Sequence, residues 1–257
     1  PSFIEYWEQP LDEEAELLLF STHFDDDTLY LGGVIPTYID KGRKVQVVYY
    51  TLANPNETYR YHETLNALYT MGIKNYPVFG IVPDKWSDTL EWAITNLEED
   101  GLTIEDAVNF QVEMIRRFKP EVVVGHAENG EYGHGQHRMN TYTLKMALEK
   151  TNDPNYNLES NAIYGVWDTP KTYLHSYENN KITLDFDIPL NQFNGKTAYE
   201  VSVMAYEQHK SQQHESLVTW LRGENKDFEK ATQISIDSPT EYGLYRTLVG
   251  LDVKKDD

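Results

Sequence analysis

Residues 17–51 read LLLFSTHFDDDTLYLGGVIPTYIDKGRKVQVVYYT, and this stretch decides the fold. Leu17-Leu18-Leu19-Phe20 is a short continuous apolar run, as expected of a strand buried on both faces of a parallel sheet. From about 28 to 41, Leu29, Leu31, Val34, Ile35 and Ile39 recur at helical spacing before Gly42, which predicts a helix and its C-terminal stop. Val45 to Thr51 (VQVVYYT) is rich in β-branched and aromatic residues and predicts a second strand. Strand, helix and strand within about 35 residues make one right-handed βαβ unit.

The pattern continues outward. The spacing predicts a helix over 58–71 ending at Gly72, a strand over 76–81, a helix over 104–118 before Pro120, a strand over 121–125 and a helix over 137–150. Further strands are expected at 162–166 and 181–188, and a helix at 197–209. Repeated βα units imply an α/β protein with a Rossmann-like, mostly parallel sheet and helices on both faces, plus a C-terminal β-rich and helical extension. One domain is expected over 1–257, with its core at about 15–212 and the extension at about 213–257.

Composition narrows the chemistry. The 257 residues carry 22 Lys and Arg against 42 Asp and Glu, a formal charge of −20, which argues against nucleic acid or an anionic membrane as partner. Cysteine is absent, so any metal must be held by His, Asp and Glu, and thiolate catalysis is excluded. No run approaches the ~18 apolar residues of a membrane span, and PSFIEYWEQP at the start lacks the basic and apolar regions of a targeting segment.

In an open parallel sheet, ligands bind beyond the carboxyl ends of the strands. Two polar clusters fall there: Thr22-His23-Phe24-Asp25-Asp26-Asp27 after the first strand, and Gly130-Glu131-Tyr132-Gly133-His134-Gly135-Gln136-His137 after the strand at 121–125. His23 and Asp26 are spaced to face the same way, and a third ligand from the second cluster would complete a catalytic zinc set of two nitrogens and one carboxylate oxygen with a position left open for water. Asp25 could then act as a base beside that position. Read singly, the aspartate run also suits a helix N-cap and the HxxH pair suits an exposed loop. A dinucleotide site is excluded, because the first strand leads into HFDDDTLYLGG rather than a G-x-G-x-x-G turn.

The same residues carry a family resemblance. His23-Phe24-Asp25-Asp26-Asp27, with Gly32-Gly33 and the strand ending at Thr51, resembles the H-P-D-D-E … G-G … V-x-x-V-x-x-T block of the PIG-L/LmbE-like family of zinc-dependent N-acetylglucosaminyl deacetylases. Gly133-His134-Gly135-Gln136-His137 is similar to that family's G-H-P-D-H block, Arg60 and Glu63 to its R-x-x-E helix, and His209-Lys210-Ser211-Gln212 to its H-x-S-Q element. The likeness covers about residues 15 to 212. It departs at Phe24 (for Pro), Asp27 (for Glu) and Gly135-Gln136 (for Pro-Asp).

The resemblance implies one zinc ion, or another divalent metal, per chain, on His23, Asp26 and His137. It implies Asp25 as general base, His134 as an imidazolium facing the oxyanion, Tyr132 as a contributor to the transition state, and Arg60 and Asp84 as substrate contacts. The implied reaction removes the acetyl group from an N-acetylglucosamine-type sugar or glycoconjugate. A deacylase of a non-sugar N-acyl metabolite and a non-catalytic, metal-containing carbohydrate-binding protein stay open as alternatives. A glycosidase is disfavoured, because Asp25 and Asp26 are adjacent and cannot flank a sugar from opposite sides. A homo-oligomer and an extracellular location are the accompanying expectations. His126 reads as a core or supporting histidine rather than a ligand, and His62, His175 and His214 as ordinary polar positions.

Overall fold

The computed structural model describes residues 9–252. Strands β1 (Leu17–Ser21), β2 (Val45–Tyr49), β5 (Val122–Gly125) and β6 (Lys171–His175) form the parallel part of a six-stranded sheet, into which β8 (Glu241–Thr247) and β7 (Lys181–Thr183) pair antiparallel. The strand order is β2-β1-β5-β6-β8-β7. A separate two-stranded parallel ribbon joins β3 (Thr51–Leu52) to β4 (Val82–Pro83). The α/β, mostly parallel architecture is as the first strand–helix–strand unit implies.

Period-two alternation along β1 explains why both faces are covered. Leu17 and Leu19 lie in one apolar cluster with Val45, Val47 and Tyr49 of β2. The same cluster takes Val34 and Ile35 of α2 (Val34–Asp40), Ala67 and Leu68 of α3 (Tyr59–Thr70), and Val201 and Ala205 of α8 (Ala198–Tyr206). Leu18 and Phe20 face the other way, against Ile115 and Phe118 of α5 (Ile104–Phe118) and Leu144 and Leu148 of α6 (Gly135–Lys150). β1 and β5 are neighbours on which the chain winds outward in opposite directions, so the crevice beyond their carboxyl ends is the topological switch point of the sheet.

Several expected elements differ. The helix expected at 28–41 is two short ones, α1 (Asp26–Leu29) and α2, interrupted at Gly32-Gly33. A Cβ on Gly33 would overlap the Phe186 ring, and Ser202 Oγ of α8 donates to the Gly32 carbonyl, so this break is where the far end of the chain packs onto the first unit. Phe186 reaches that place by leaving the strand expected at 181–188, of which only β7 remains. The strand expected at 76–81, which contains Pro77, contributes only a bridge between Val78 and Val48. Residues 162–166, expected as a strand, end helix α7 (Leu158–Tyr164), started by the Asn157 side chain accepting the Ser160 N–H. Helices α4 (Leu90–Glu99) and α9 (Glu215–Arg222), and strands β6 and β8, lie where no element was expected. Among the described residues no helix is long and apolar enough to cross a membrane.

Candidate active site

β1 and β5 end side by side, and the two polar loops that follow them meet. His23 Nδ1 lies 3.1 Å from Asp26 Oδ2 and 3.1 Å from His137 Nε2, and His137 Nε2 lies 3.0 Å from Asp26 Oδ2. The three predicted ligands thus present one atom each at the corners of a small triangle, and all three residues are buried. Its edges come close to the ~3.3 Å ligand separation of a tetrahedral shell with ~2.0–2.1 Å bonds.

The surrounding hydrogen bonds set which ring nitrogen faces inward. His23 Nε2 is 3.0 Å from Gln136 Oε1. That amide is itself oriented, because Gln136 Nε2 donates to the Pro83 carbonyl (2.8 Å) and Gln136 Oε1 accepts the Lys85 N–H (3.2 Å). His23 therefore carries its proton on Nε2 and aims the Nδ1 lone pair at the triangle. His137 Nδ1 is 2.7 Å from Glu131 Oε2, which leaves Nε2 as its inward lone pair. Two imidazole nitrogens and a carboxylate oxygen converging in this way could hold a divalent cation, and the donor set fits zinc. In the metal-free chain, burial, which opposes charge on His137, is outweighed by Asp26 and Glu131, and its pKa is raised to about 10.

Glu131, which sequence reasoning passed over, is the hub of the supporting shell. Its Oε2 accepts from His126 Nδ1 (2.8 Å) and His137 Nδ1, and its Oε1 accepts from His175 Nδ1 (2.6 Å) and the Ala127 N–H (3.1 Å). Four bonds saturate the carboxylate, which is wholly buried; burial opposes its charge, but His126, His137 and His175 hold its pKa well below the usual range. His126 Nε2 accepts the Thr22 N–H at 2.9 Å, which occupies its lone pair in this structure. His175 is a correction. It is not an ordinary polar position but a fully buried ring whose Nε2 faces the Ser238 carbonyl at 2.8 Å. Both of its nitrogens face acceptors, and Glu131 beside it raises its pKa against the effect of burial. In the folded chain His23, His126 and His175 stand at the carboxyl ends of three neighbouring strands, β1, β5 and β6, of which β6 was not legible in the sequence.

Asp25 sits beside the triangle, buried, with Oδ1 3.5 Å from Arg60 Nη2. Burial raises its pKa and Arg60 opposes the shift. Arg60 Nη1 also donates to Asp84 Oδ2 at 2.7 Å, so the two predicted substrate contacts form one pair on the edge of the site. Glu63 partners neither; it accepts from the Ser211 N–H (2.8 Å) and hydroxyl (2.6 Å), tying the R-x-x-E helix to the H-x-S-Q element.

His134 N-caps α6, its Nδ1 accepting the Gln136 N–H at 3.1 Å. Burial and the neighbouring His23 and His137 push its pKa down to about 2. With Nδ1 accepting the Gln136 N–H, the ring in this structure has Nε2–H as its remaining donor. Tyr132 is half exposed, its ring 5.6 Å from that of His134 and 5.4 Å from that of His137.

Each departure from the family pattern has a local partner. Phe24 packs against Tyr49, Tyr61 and Phe79, with the Arg60 guanidinium 5.6 Å from its ring centroid. Asp27, shorter than Glu, accepts the Tyr49 hydroxyl at 3.0 Å. A Cβ on Gly135 would overlap the Thr89 carbonyl and the Ser87 hydroxyl, and the Gly135 N–H donates to the Ser87 carbonyl at 2.8 Å. Gly135 and Gln136 together dock the 83–89 loop, which carries Asp84 and Trp86, onto the ligand loop.

Over 179 residues the chain is 26% identical to a 1D-myo-inositol 2-acetamido-2-deoxy-alpha-D-glucopyranoside deacetylase of Geodermatophilus obscurus, the match covering 61% of this chain and 60% of that protein. The fold resembles that of N,N'-diacetylchitobiose deacetylase from Pyrococcus horikoshii, with a TM-score of 0.59, 17% identity, and 91% of this chain and 82% of that one covered. It also resembles 4-carboxy-2-hydroxymuconate hydratase from Pseudomonas putida, with a TM-score of 0.52, 14% identity, and 96% and 99% covered, so the fold alone does not choose the reaction. The PIG-L family model, described as GlcNAc-PI de-N-acetylase, matches residues 18–148, which hold both ligand loops, and the chain belongs to that family.

Proposed function

We propose that the chain is a metal-dependent N-deacetylase of amino sugars that hydrolyses the acetamide of an N-acetylglucosamine-type substrate. The observation that carries this reading is the placement of Asp25 and His134 beside the His23–Asp26–His137 triangle. A site that only stored a metal would need neither. The deacetylase relatives, matched over about three-fifths of their length, support the same class of substrate.

A divalent metal on the triangle supplies Lewis-acid polarisation of the amide and a lowered pKa for water. Asp25 takes the proton of the attacking water, a role that its burial-raised pKa favours. His134 donates its Nε2–H to the oxygen of the acetyl group as negative charge gathers there, with Tyr132 at the same rim. Asp25 then gives its proton to the departing nitrogen as the C–N bond breaks, leaving acetate and a free amine. Arg60 and Asp84 offer a donor and an acceptor to sugar hydroxyls, and Arg60 Nε, buried without a partner among the described residues, is a donor left for such a contact.

The test is a product screen of the zinc-loaded protein over N-acetylglucosaminyl compounds and simple N-acyl amines, read by acetate release. Turnover confined to the sugars is the expected result. Turnover of N-acyl amines alone would transfer the site to the non-sugar class.

A further inference from the structure

Three consecutive residues of the C-terminal extension each hold a different wall of the site. The Ile236 carbonyl accepts from Trp220 Nε1 at 2.8 Å, Asp237 Oδ2 accepts the Tyr132 backbone N–H at 2.9 Å, and the Ser238 carbonyl meets His175 Nε2 at 2.8 Å. All three lie well outside residues 18–148, the part matched by the family model.

The middle contact has an unusual backbone on both sides. Tyr132 has φ 42° and ψ 21°, and Asp237 has φ 46°. A non-glycine residue in the left-handed region is strained and persists where its surroundings enforce it. Here two such residues are joined by one hydrogen bond 105 positions apart in sequence. That bond fixes the turn that presents the Tyr132 ring to His134 and His137. The outer contacts reach the same place by other routes. Trp220 packs on Tyr30 (4.9 Å between centroids) and Tyr30 on Tyr132 (5.6 Å), while His175 holds Glu131, the partner of His137.

We propose that residues 236–238 are a clasp that assembles the site, with Asp237 the positioning residue for Tyr132. The catalytic part of this inference rests on the deacetylase reading above; the structural part does not. Asp237 is partly exposed, so its substitution leaves the core packing in place.

The experiment compares Asp237→Ala and Asp237→Asn, alone and with Tyr132→Phe, in the zinc-loaded full chain. Backbone hydrogen exchange over residues 130–134 is measured alongside kcat and KM for an N-acetylglucosaminyl substrate. The expected result for Asp237→Ala is about tenfold faster exchange at the Tyr132 amide and about tenfold lower kcat, the worth of one hydrogen bond, with KM little changed. Asp237→Asn keeps an acceptor oxygen and restores both. In the Tyr132→Phe background, Asp237→Ala costs nothing further in kcat. Exchange and kcat equal to wild type in Asp237→Ala, or an undiminished loss in the Tyr132→Phe background, overturns the proposal. If the wild type releases no acetate from any N-acetyl amino sugar, the deacetylase reading fails and the exchange rate alone decides whether the clasp exists.

Discussion

His137 Nδ1 lies 2.7 Å from Glu131 Oε2, and this bond decides which nitrogen of His137 faces the metal site. The carboxylate also raises the ring's strength as a ligand. Replacing Glu131 by Gln puts an NH2 group either against the His126 and His137 N–H groups or against those of His175 and Ala127. Zinc affinity of Glu131→Gln, measured by competition with a chromophoric chelator, should fall about 10- to 100-fold. An unchanged affinity would show that Glu131 only fills space.

Asp25 is the proposed base and none of the three converging ligand atoms belongs to it. Asp25→Asn should therefore retain its zinc while kcat drops about 10²- to 10⁴-fold. Metal content by mass spectrometry of the native protein and initial rates of acetate release check the two halves separately. A variant that loses its metal would instead make Asp25 a ligand.

Gln136 works in two directions, accepting from His23 Nε2 and donating to the Pro83 carbonyl. Gln136→Leu removes both, and about a tenfold loss of zinc affinity is expected as His23 loses its fixed tautomer. Gln136→Glu keeps the acceptor for His23 and loses the donor to Pro83. It should hold zinc nearly as well as wild type yet show a raised KM, because the loop carrying Asp84 is no longer tied down. Equal zinc affinity in Gln136→Leu would remove Gln136 from the account.

His209 is fully buried with neither ring nitrogen hydrogen-bonded among the described residues, and burial, then Arg60, push its pKa down to about 3. An unfolded histidine titrates near ~6.5. Between those values the unfolded chain binds the extra proton, so this residue makes native stability fall as pH drops from about 6.5 toward 3. Urea unfolding of His209→Gln between about pH 4.5 and 6 should show a shallower loss of stability, by up to ~1.4 kcal/mol per pH unit. Parallel slopes for the two proteins would contradict this.

The legible part of the sequence was its periodicity and its strand ends. Buried parallel strands are continuous apolar runs, so β1, β2 and β5 could be read, and with them the two loops that hold His23, Asp25, Asp26, His134 and His137. What could not be read depends on contacts distant in sequence. β6 (KTYLH) carries no continuous apolar run, and its neighbour β8 comes from the tail, so nothing local marks that pairing. Glu131 and His175 are ordinary polar letters until β5 and β6 lie side by side and bring them into a buried hydrogen-bonded pair. The helix at 28–41 broke for a similar reason: Gly33 makes room for Phe186, more than 150 positions away.

The central claim is that a cation held by His23, Asp26 and His137 makes the site hydrolytic. The most direct measurement strips the wild-type protein with a chelator, restores zinc stepwise, and follows acetate release from an N-acetylglucosaminyl substrate, with His137→Ala in parallel. The expected result is no turnover in the stripped protein, full recovery at one equivalent of zinc per chain, and none in His137→Ala. Turnover that survives chelation, or that His137→Ala retains at the wild-type rate, would contradict it.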